Sequence, residues 1–411
     1  MKNSRMIAFD VLDDILRNNA YSNLALEKAL KDVENKDKAF VTRLVYGVVE
    51  RKLTLDYFLS LYLKTKPKPK VKLLLYIGAY QVLFMDKVPD SAAVNETLKL
   101  ADELGLSYYK KLINAVLRKL CDNKDEAFNN VSPDIKYSCP EPLIKMWTKM
   151  YGEENTLSIL ENINNRPPIF AVPNTKFVDA EELQYELLNE GVECELYNEC
   201  VKINSQFDVS RLNSFNNGLF YIEDYSSYTA ACALEAKEED TVLDICAAPG
   251  GKSFTLAQSG ANVYSFDLYE HRCELISKSA KRLELDNIKA AVNDALVFNP
   301  EIPKADKILC DVPCSGFGII RRKPEIRYKN LDEIKDLADI QYNILLTSSK
   351  YLKTGGKMLY STCTLNKKEN EKVVSKFIEN NPEFELINQT TVFPMEDSGD
   401  GFFYALMVKN D

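Results

Sequence analysis

The stretch VLDICAAPGGKS, Val242 to Ser253, decides how the second half of this chain is read. A strand ends here, Pro249-Gly250-Gly251 makes a turn, and a helix begins. A strand that turns sharply into a helix presents backbone N–H groups to an anionic or polar ligand. From Asp240 onward such units repeat. Strands are expected at Thr241–Cys246, Asn262–Asp267, Lys289–Asn293, Lys307–Val312 and Lys357–Ser361. Helices are expected at Lys252–Gln258, Tyr269–Leu285, Asp332–Tyr351 and Lys367–Asn380. That alternation predicts a parallel, Rossmann-like α/β sheet.

Two ligands compete for the turn. A phosphate-binding P-loop has the pattern G-x-x-x-x-G-K-[ST]. Gly251-Lys252-Ser253 fits its end, but Cys246 occupies the first glycine position, where a Cβ crowds a phosphate. An S-adenosylmethionine site instead wants an acid at the end of the next strand, to accept from ribose hydroxyls. Asp267 stands there, Asp294 follows the third strand and Asp311 the fourth. Each acid alone is commonly a helix cap or a solvated loop end. Three at consecutive strand ends favour a cationic, hydroxyl-bearing cofactor.

Two cysteines lie in loops of this sheet, in DVPCSGFG (311–318) and YSTCT (360–364). Cys121, Cys194, Cys232, Cys273 and Cys310 suit small buried hydrophobes. Cys314 and Cys363 sit among Gly, Ser and Thr and suit that role poorly. Asn366 and Glu369 read as a capping box opening a helix. The helix end and Lys367 and Lys368 would favour a thiolate at Cys363. Spacing alone does not decide which cysteine attacks.

Residues 4–122 carry apolar residues at three- and four-residue spacing, the pattern of an all-α bundle. Residues 143–235 mix strand-like stretches, at Ile169–Val172 and near Gly218–Ile222, with a helix at Ala180–Leu188. The expected domains are therefore 1–130 helical, 140–235 small α+β and 236–411 α/β.

Composition narrows the function. The longest apolar run, Leu73 to Met85, has 13 residues. A membrane span needs about 20. The N-terminus mixes acids with apolar residues and reads as an amphipathic helix, not a signal peptide. Ten scattered cysteines without a CxxC pair suggest reduced thiols and a cytoplasmic protein. The single histidine, His271, argues against a Cys/His metal site and against an imidazole base, so no metal is expected. Net charge is −9, but residues 1–125 carry +6 and the remainder −15. The basic excess includes KTKPKPKVK, Lys64 to Lys72, read as a solvated linker or as a polyphosphate contact.

DICAAPGGK, DVPCSG and STCT, in this order, resemble the RNA 5-methylcytosine methyltransferases of the Nop/Sun group. Residues 1–125 resemble NusB, an RNA-binding antitermination factor. The resemblance implies a NusB-like bundle, an RRM-like segment and a class I methyltransferase domain. It implies S-adenosylmethionine as cofactor and cytosine 967 of 16S ribosomal RNA as target, free or in an early assembly intermediate. By the same resemblance Cys246, Ala247, Ala248, Pro249, Gly250, Gly251 and Lys252 form the cofactor loop. Asp267, Asp294 and Asp311 make further cofactor contacts, Cys363 attacks and Cys314 helps. Two places depart from the family. Glu223-Asp224 stands where Gln-Asp is usual, and Ala171-Val172-Pro173-Asn174 where Arg-Val-Asn is usual. The second change puts an RNA contact in question.

The chemistry agrees with this reading. Carbon 5 of cytosine is a poor nucleophile. A thiolate adding to carbon 6 converts the ring to an enamine, splitting one hard step into easier ones. Asp311 is placed to assist at the ring's N3. A paired base cannot reach such a site, so the target must be unpaired or flipped. IIRRKPEIRYKN (319–330) would bring Arg321, Arg322, Lys323 and Arg327 to RNA phosphates. Phe402 and Phe403 read as core. The chain is expected to act as a monomer. A catalytically silent RNA-binding or antitermination-type factor and a degenerate P-loop NTPase are the competing readings.

Overall fold

The computed structural model describes residues 3–18, 20–31, 33–124, 128–129, 131–205, 207–395 and 398–411. The expected boundary near residue 130 falls outside them. The chain divides into two compact units, Met1–Asn164 with Ile320–Lys329, and Asn165–Ile319 with Asn330–Asp411.

The first unit is helical. It contains α1 (Ser4–Asn18), α2 (Ser22–Leu30), α3 (Asn35–Glu50), α4 (Lys52–Ser60), α5 (Pro69–Phe84), α6 (Asp90–Glu103) and α7 (Lys110–Asn123). These are followed by α8 (Pro133–Lys136) and α9 (Glu141–Asn162). Helix α5 is buried on every side from Leu73 to Val82 and runs through the middle, with Leu74, Leu75, Ile77 and Ala79 fully buried. Pro69 starts it, where a missing N–H costs nothing. The other helices turn one apolar stripe toward it. Gly47 permits the closest approach: a Cβ there would lie 1.9 Å from the Tyr80 ring. Helix α9 carries the one tryptophan, Trp147, fully buried, and Gly152 breaks its helical path at φ 83.

The second unit holds two sheets. The smaller is antiparallel with order β2-β3-β1-β4, from β1 (Ile169–Pro173), β2 (Cys194–Tyr197), β3 (Cys200–Ile203) and β4 (Phe220–Ile222). Helix α10 (Ala180–Asn189) covers it with Leu183 and Leu187. A capping box between Asp179 and Glu182 starts that helix.

The larger sheet follows α11 (Asn213–Asn216) and α12 (Tyr225–Cys232) in the chain. Its strands are β5 (Thr241–Asp244), β6 (Asn262–Asp267), β7 (Ile288–Val292), β8 (Ala305–Asp311), β9 (Leu352–Thr362), β10 (Phe384–Val392) and β11 (Phe402–Lys409). Their order is β10-β11-β9-β8-β5-β6-β7. The five strands β5 to β9 pair in parallel; β11 and β10 add antiparallel at the β9 edge. Helices α13 (Gly251–Ala257), α14 (Glu270–Arg282), α15 (Leu337–Ser349) and α16 (Glu371–Asn380) make the crossovers. The expected fold class holds, with a mixed sheet in place of a purely parallel one. The strand order reverses between β5 and β8, and in such sheets the crevice above a reversal binds ligands.

Several elements differ from expectation. The strand expected at Lys357–Ser361 begins earlier, at Leu352. The last two helices begin later than expected, at Leu337 and Glu371. Among the described residues no helix is long and apolar enough to cross a membrane.

Candidate active site

The carboxyl ends of β5 and β8 lie side by side, and the register brings their acids to one edge. Asp244 pairs across from Leu309, and Asp311 from Ser361. Asp244 is buried; its Oδ2 accepts from Ser253 at 2.6 Å, and Ser265 donates to Ser253 at 2.8 Å. Among the described residues its buried Oδ1 has no hydrogen-bond partner. Burial pushes the Asp244 carboxyl up to about 7, against the pull of Ser253 and Lys252. Nothing in the sequence singles out Asp244, which lies inside a strand-like run upstream of the glycine turn.

The loop from Cys246 to Gly250 then crosses above the sheet into α13. Gly250 has φ 111, and a Cβ there would come within 2.5 Å of the Phe254 ring. A Cβ on Gly251 would lie 2.8 Å from the Glu223 carboxyl carbon. Glu223 is buried and accepts from Ser227 at 2.7 Å and Thr255 at 3.1 Å. Burial raises its carboxyl, and Lys252 opposes the rise. Here the departure from the family's glutamine becomes part of the floor under the loop.

Lys252 does not point at a phosphate position. Its Nζ donates to Asp311 Oδ2 at 2.7 Å and lies 5.2 Å above the Phe402 ring. Burial works against its charge, but Asp311, Glu223 and Asp244 outweigh burial and hold its ammonium above the ordinary value. Ser361 donates to the other oxygen of Asp311 at 2.8 Å. The P-loop reading therefore loses both its first glycine and its lysine. Phe402 and Phe403 are buried, as expected.

Asp267 ends β6, buried, with its carboxylate accepting from Tyr269 N at 3.3 Å and lying 3.5 Å from Arg272. Asp294 follows β7, exposed, accepting from Leu296 N at 2.9 Å. Leu268, Leu296, Val297 and Phe298 stand exposed around these strand ends. Nothing in their spacing marks them in the sequence.

The two motif cysteines meet. Cys314 Sγ and Cys363 Sγ are 3.2 Å apart, both as free thiols. The hydrogen bond with Cys363, burial, and the charges of Glu369 and Asp311 all push the Cys314 thiol well up. The loops are tied by backbone as well: Gly318 N donates to Cys363 O at 3.0 Å, and Gly401 N to Gly318 O at 3.0 Å. A Cβ on Gly318 would fall 1.9 Å from Gly401 O, so only glycine permits this crossing.

The segment after Cys363 is not the helix start expected of it. Residues 367–370 form turns, and α16 begins at Glu371. Asn366 does accept from Lys368 N at 3.1 Å. The Glu369 side chain, however, turns to Ser315, taking hydrogen bonds from Ser315 N at 2.8 Å and Ser315 Oγ at 2.6 Å. The helix thus begins four residues later than expected, after a turn at 367–370.

The basic loop also needs correction. Arg321 and Arg327 are buried, only 3% and 1% exposed. Arg327 spends its guanidinium on Glu50 O at 3.0 Å, Ser138 O at 3.1 Å and Asn164 Oδ1 at 2.9 Å. Neither is a surface contact for phosphate. Arg322 and Lys323 are partly exposed.

A doubly wound sheet with acids at adjacent strand ends, a glycine turn between them and a cysteine pair defines a class I RNA methyltransferase. Residues 231–408 match the family described as 16S rRNA methyltransferase RsmB/F, and residues 2–122 match the NusB family. A Bacillus subtilis relative named probable ribosomal RNA small subunit methyltransferase B is 37% identical over 400 residues, 93% of this chain and 89% of that protein. Ribosomal RNA small subunit methyltransferase B of Proteus mirabilis is 31% identical, with 99% of each chain covered. The crystal structure of PH0851 superposes with a TM-score of 0.81 and 27% identity, over 100% of this chain and 99% of that one. The chain belongs to the RsmB/F family of rRNA methyltransferases and carries a NusB-family N-terminal domain.

Proposed function

We propose that this enzyme methylates carbon 5 of cytosine 967 in 16S ribosomal RNA through a covalent bond between Cys363 and carbon 6. The observation that carries the reading is the 3.2 Å contact of Cys314 with Cys363, three residues on from the Lys252–Asp311 pair.

The residues present fit S-adenosylmethionine. Asp244 Oδ1 is a buried acceptor with no donor among the described residues, and the glycines at 250 and 251 let a ligand approach the backbone. Acids at three strand ends favour a ligand that is cationic at one end and offers hydroxyl and amino donors elsewhere. Residues Cys246 to Lys252 would line it, Asp267 would accept from ribose hydroxyls and Asp294 from the adenine amino group. When bound, S-adenosylmethionine supplies an activated methyl group on a sulfonium.

Cys363 adds to carbon 6, which makes carbon 5 nucleophilic. Asp311 assists at N3: its carboxylate accepts from the Lys252 ammonium and the Ser361 hydroxyl, and the proton it relays to N3 comes from Lys252. Cys314 helps in removal of the carbon 5 proton or, as a protonated thiol, in product release, when elimination frees Cys363. The substrate is 16S RNA, free or in an early assembly intermediate, and the enzyme works as a cytoplasmic monomer.

A hairpin RNA carrying 5-fluorocytosine at the target, incubated with S-adenosylmethionine, tests this. Fluorine blocks proton loss, so a methylated adduct should persist and map to Cys363 by peptide mass spectrometry. An adduct at Cys314 would reverse the cysteine roles. No adduct, with the unmodified hairpin methylated normally, would remove the covalent mechanism.

A further inference from the structure

We infer that Glu369 is a positioning residue for methyl transfer: its carboxylate locks the two cysteine loops together, and its charge directs ionisation to Cys363. The inference rests on the cysteine roles proposed above.

The geometry begins with the carboxylate. Glu369 is 1% exposed. Its Oε1 accepts from Ser315 Oγ at 2.6 Å and Asn366 Nδ2 at 2.7 Å. Its Oε2 accepts from Ser315 N at 2.8 Å and Gln341 Nε2 at 3.0 Å. Four donors and no acceptor face it, a demand that a carboxylate meets and an amide does not. Among the described residues no lysine or arginine pairs with it.

The donors come from both loops. Because Ser315 gives its one hydroxyl proton to Glu369, Thr364 must donate to Ser315 Oγ, at 2.6 Å. Thr364 in turn accepts from Phe317 N at 3.2 Å. Gln341 uses the same amide nitrogen to bind Pro313 O at 3.0 Å, which fixes its orientation. Residues 313, 315 and 317 flank Cys314; Thr364 follows Cys363. One carboxylate thus sets the register that puts the sulfurs in contact.

The carboxylate is bonded directly to the loop that carries Cys314: it takes the N–H of the next residue, Ser315, and Asp311 stands three residues before Cys314. Facing the pair from β9 are Tyr360, whose hydroxyl donates to Glu369 O, and Ser361. From α15 comes neutral Gln341. The turn adds Lys367 and exposed Lys368, α16 begins with Glu371, and Lys252 is engaged by Asp311. The hydrogen bond with Cys363 and burial disfavour a thiolate at Cys314, and the two carboxylates add to them. Cys314 therefore keeps its proton and offers it as a hydrogen bond to the Cys363 thiolate, the form that attacks carbon 6.

Pulse alkylation with iodoacetamide, mapped by mass spectrometry across pH, tests this without RNA or cofactor. In the unmutated protein Cys363 should label at lower pH than Cys314. Glu369→Gln should reduce the Cys363-to-Cys314 labelling ratio roughly tenfold, the effect of one pKa unit, and shift the pH profile of methylation. Glu369→Asp, which keeps the charge, should restore the ratio even where melting temperature stays low. Cys314 labelling first in the unmutated protein would overturn the inference. So would Glu369→Gln lowering melting temperature alone, with ratio and pH profile unchanged. Failure of the cysteine roles reads out separately, as a fluorocytosine adduct at Cys314.

Discussion

Cys363 and Cys314 share one contact but should fail differently. On the proposed mechanism Cys363 is the group that adds to carbon 6, so Cys363→Ala should abolish turnover in a methyl-incorporation assay. On the same proposal Cys314→Ala should leave addition intact and impair resolution, so that protein linked to RNA accumulates on denaturing gels. Normal turnover by Cys363→Ala would refute the order. Asp244 supports a second prediction at this scale. Its carboxyl is raised from 3.8 to about 7 because it is buried. A carboxyl raised in the folded state favours folding while protonated. That contribution is complete below about pH 4, fades through about 7 and is absent above. Asp244→Asn stays neutral throughout, so it should gain on the unmutated protein as pH rises, by up to about 4 kcal/mol. Urea unfolding at pH 5 and pH 8, without cofactor, reads the difference; equal midpoint shifts at both would count against it. The residue scale also marks the limit of legibility. The cysteines and strand-end acids announce themselves by their motifs, whereas Asp244 is hidden in a strand and Glu369 looks like a helix cap. Its true partner, Ser315, lies 54 residues away, and no local pattern encodes that.

Elements were legible where periodicity is strong. Helices of the bundle and strands of the larger sheet show clear apolar spacing, and β6 coincides with its expected span. Strands β2 and β3 were not visible. They are four residues each, and β2 has no buried residue, so its pattern lacks alternation. Helix α9 was hidden by its glycine break, and α4 begins directly after α3 with no loop signal. The segment 320–329 is the instructive case. Its charges read as an exposed loop, yet a 3-10 helix at Pro324–Tyr328 carries Arg327 inward. There the guanidinium satisfies carbonyls at the ends of α3 and α9, including Glu50 O and, at 3.3 Å, Ile163 O. Helix ends leave such carbonyls orphaned. Arg327→Ala should therefore destabilise the protein by about 3 kcal/mol, seen as a lower urea midpoint, with RNA affinity of the folded fraction preserved. A loss of affinity without a loss of stability would restore the phosphate-contact reading.

Across the whole molecule, charge is sorted by sequence region: +6 in residues 1–125 and −15 in the remainder. A net charge of −9 would repel RNA if it were spread evenly. The exposed Lys64, Lys66, Lys68 and Lys70 answer that objection. Among the described residues none of them pairs with an acid, whereas Lys72, one turn into α5, is held by Asp56 at 2.6 Å. Proline keeps residues 64–68 out of the helix, so these cations face water at low conformational cost. Unpaired cations that displace counterions from phosphate give an affinity that falls steeply with salt, with a logarithmic slope of about 0.7 per contact for single strands. Reversal of Lys66, Lys68 and Lys70 to glutamate should weaken binding of a 16S-derived hairpin at least tenfold at low salt. The slope should drop by about 2 if all three touch phosphate, and the two proteins should converge at high salt. Fluorescence anisotropy across a salt series measures both. An equal loss at every salt concentration would mean a damaged bundle instead. An unchanged slope would mean that these lysines only solvate the start of α5, leaving Arg322 and Lys323 as the remaining cations to test.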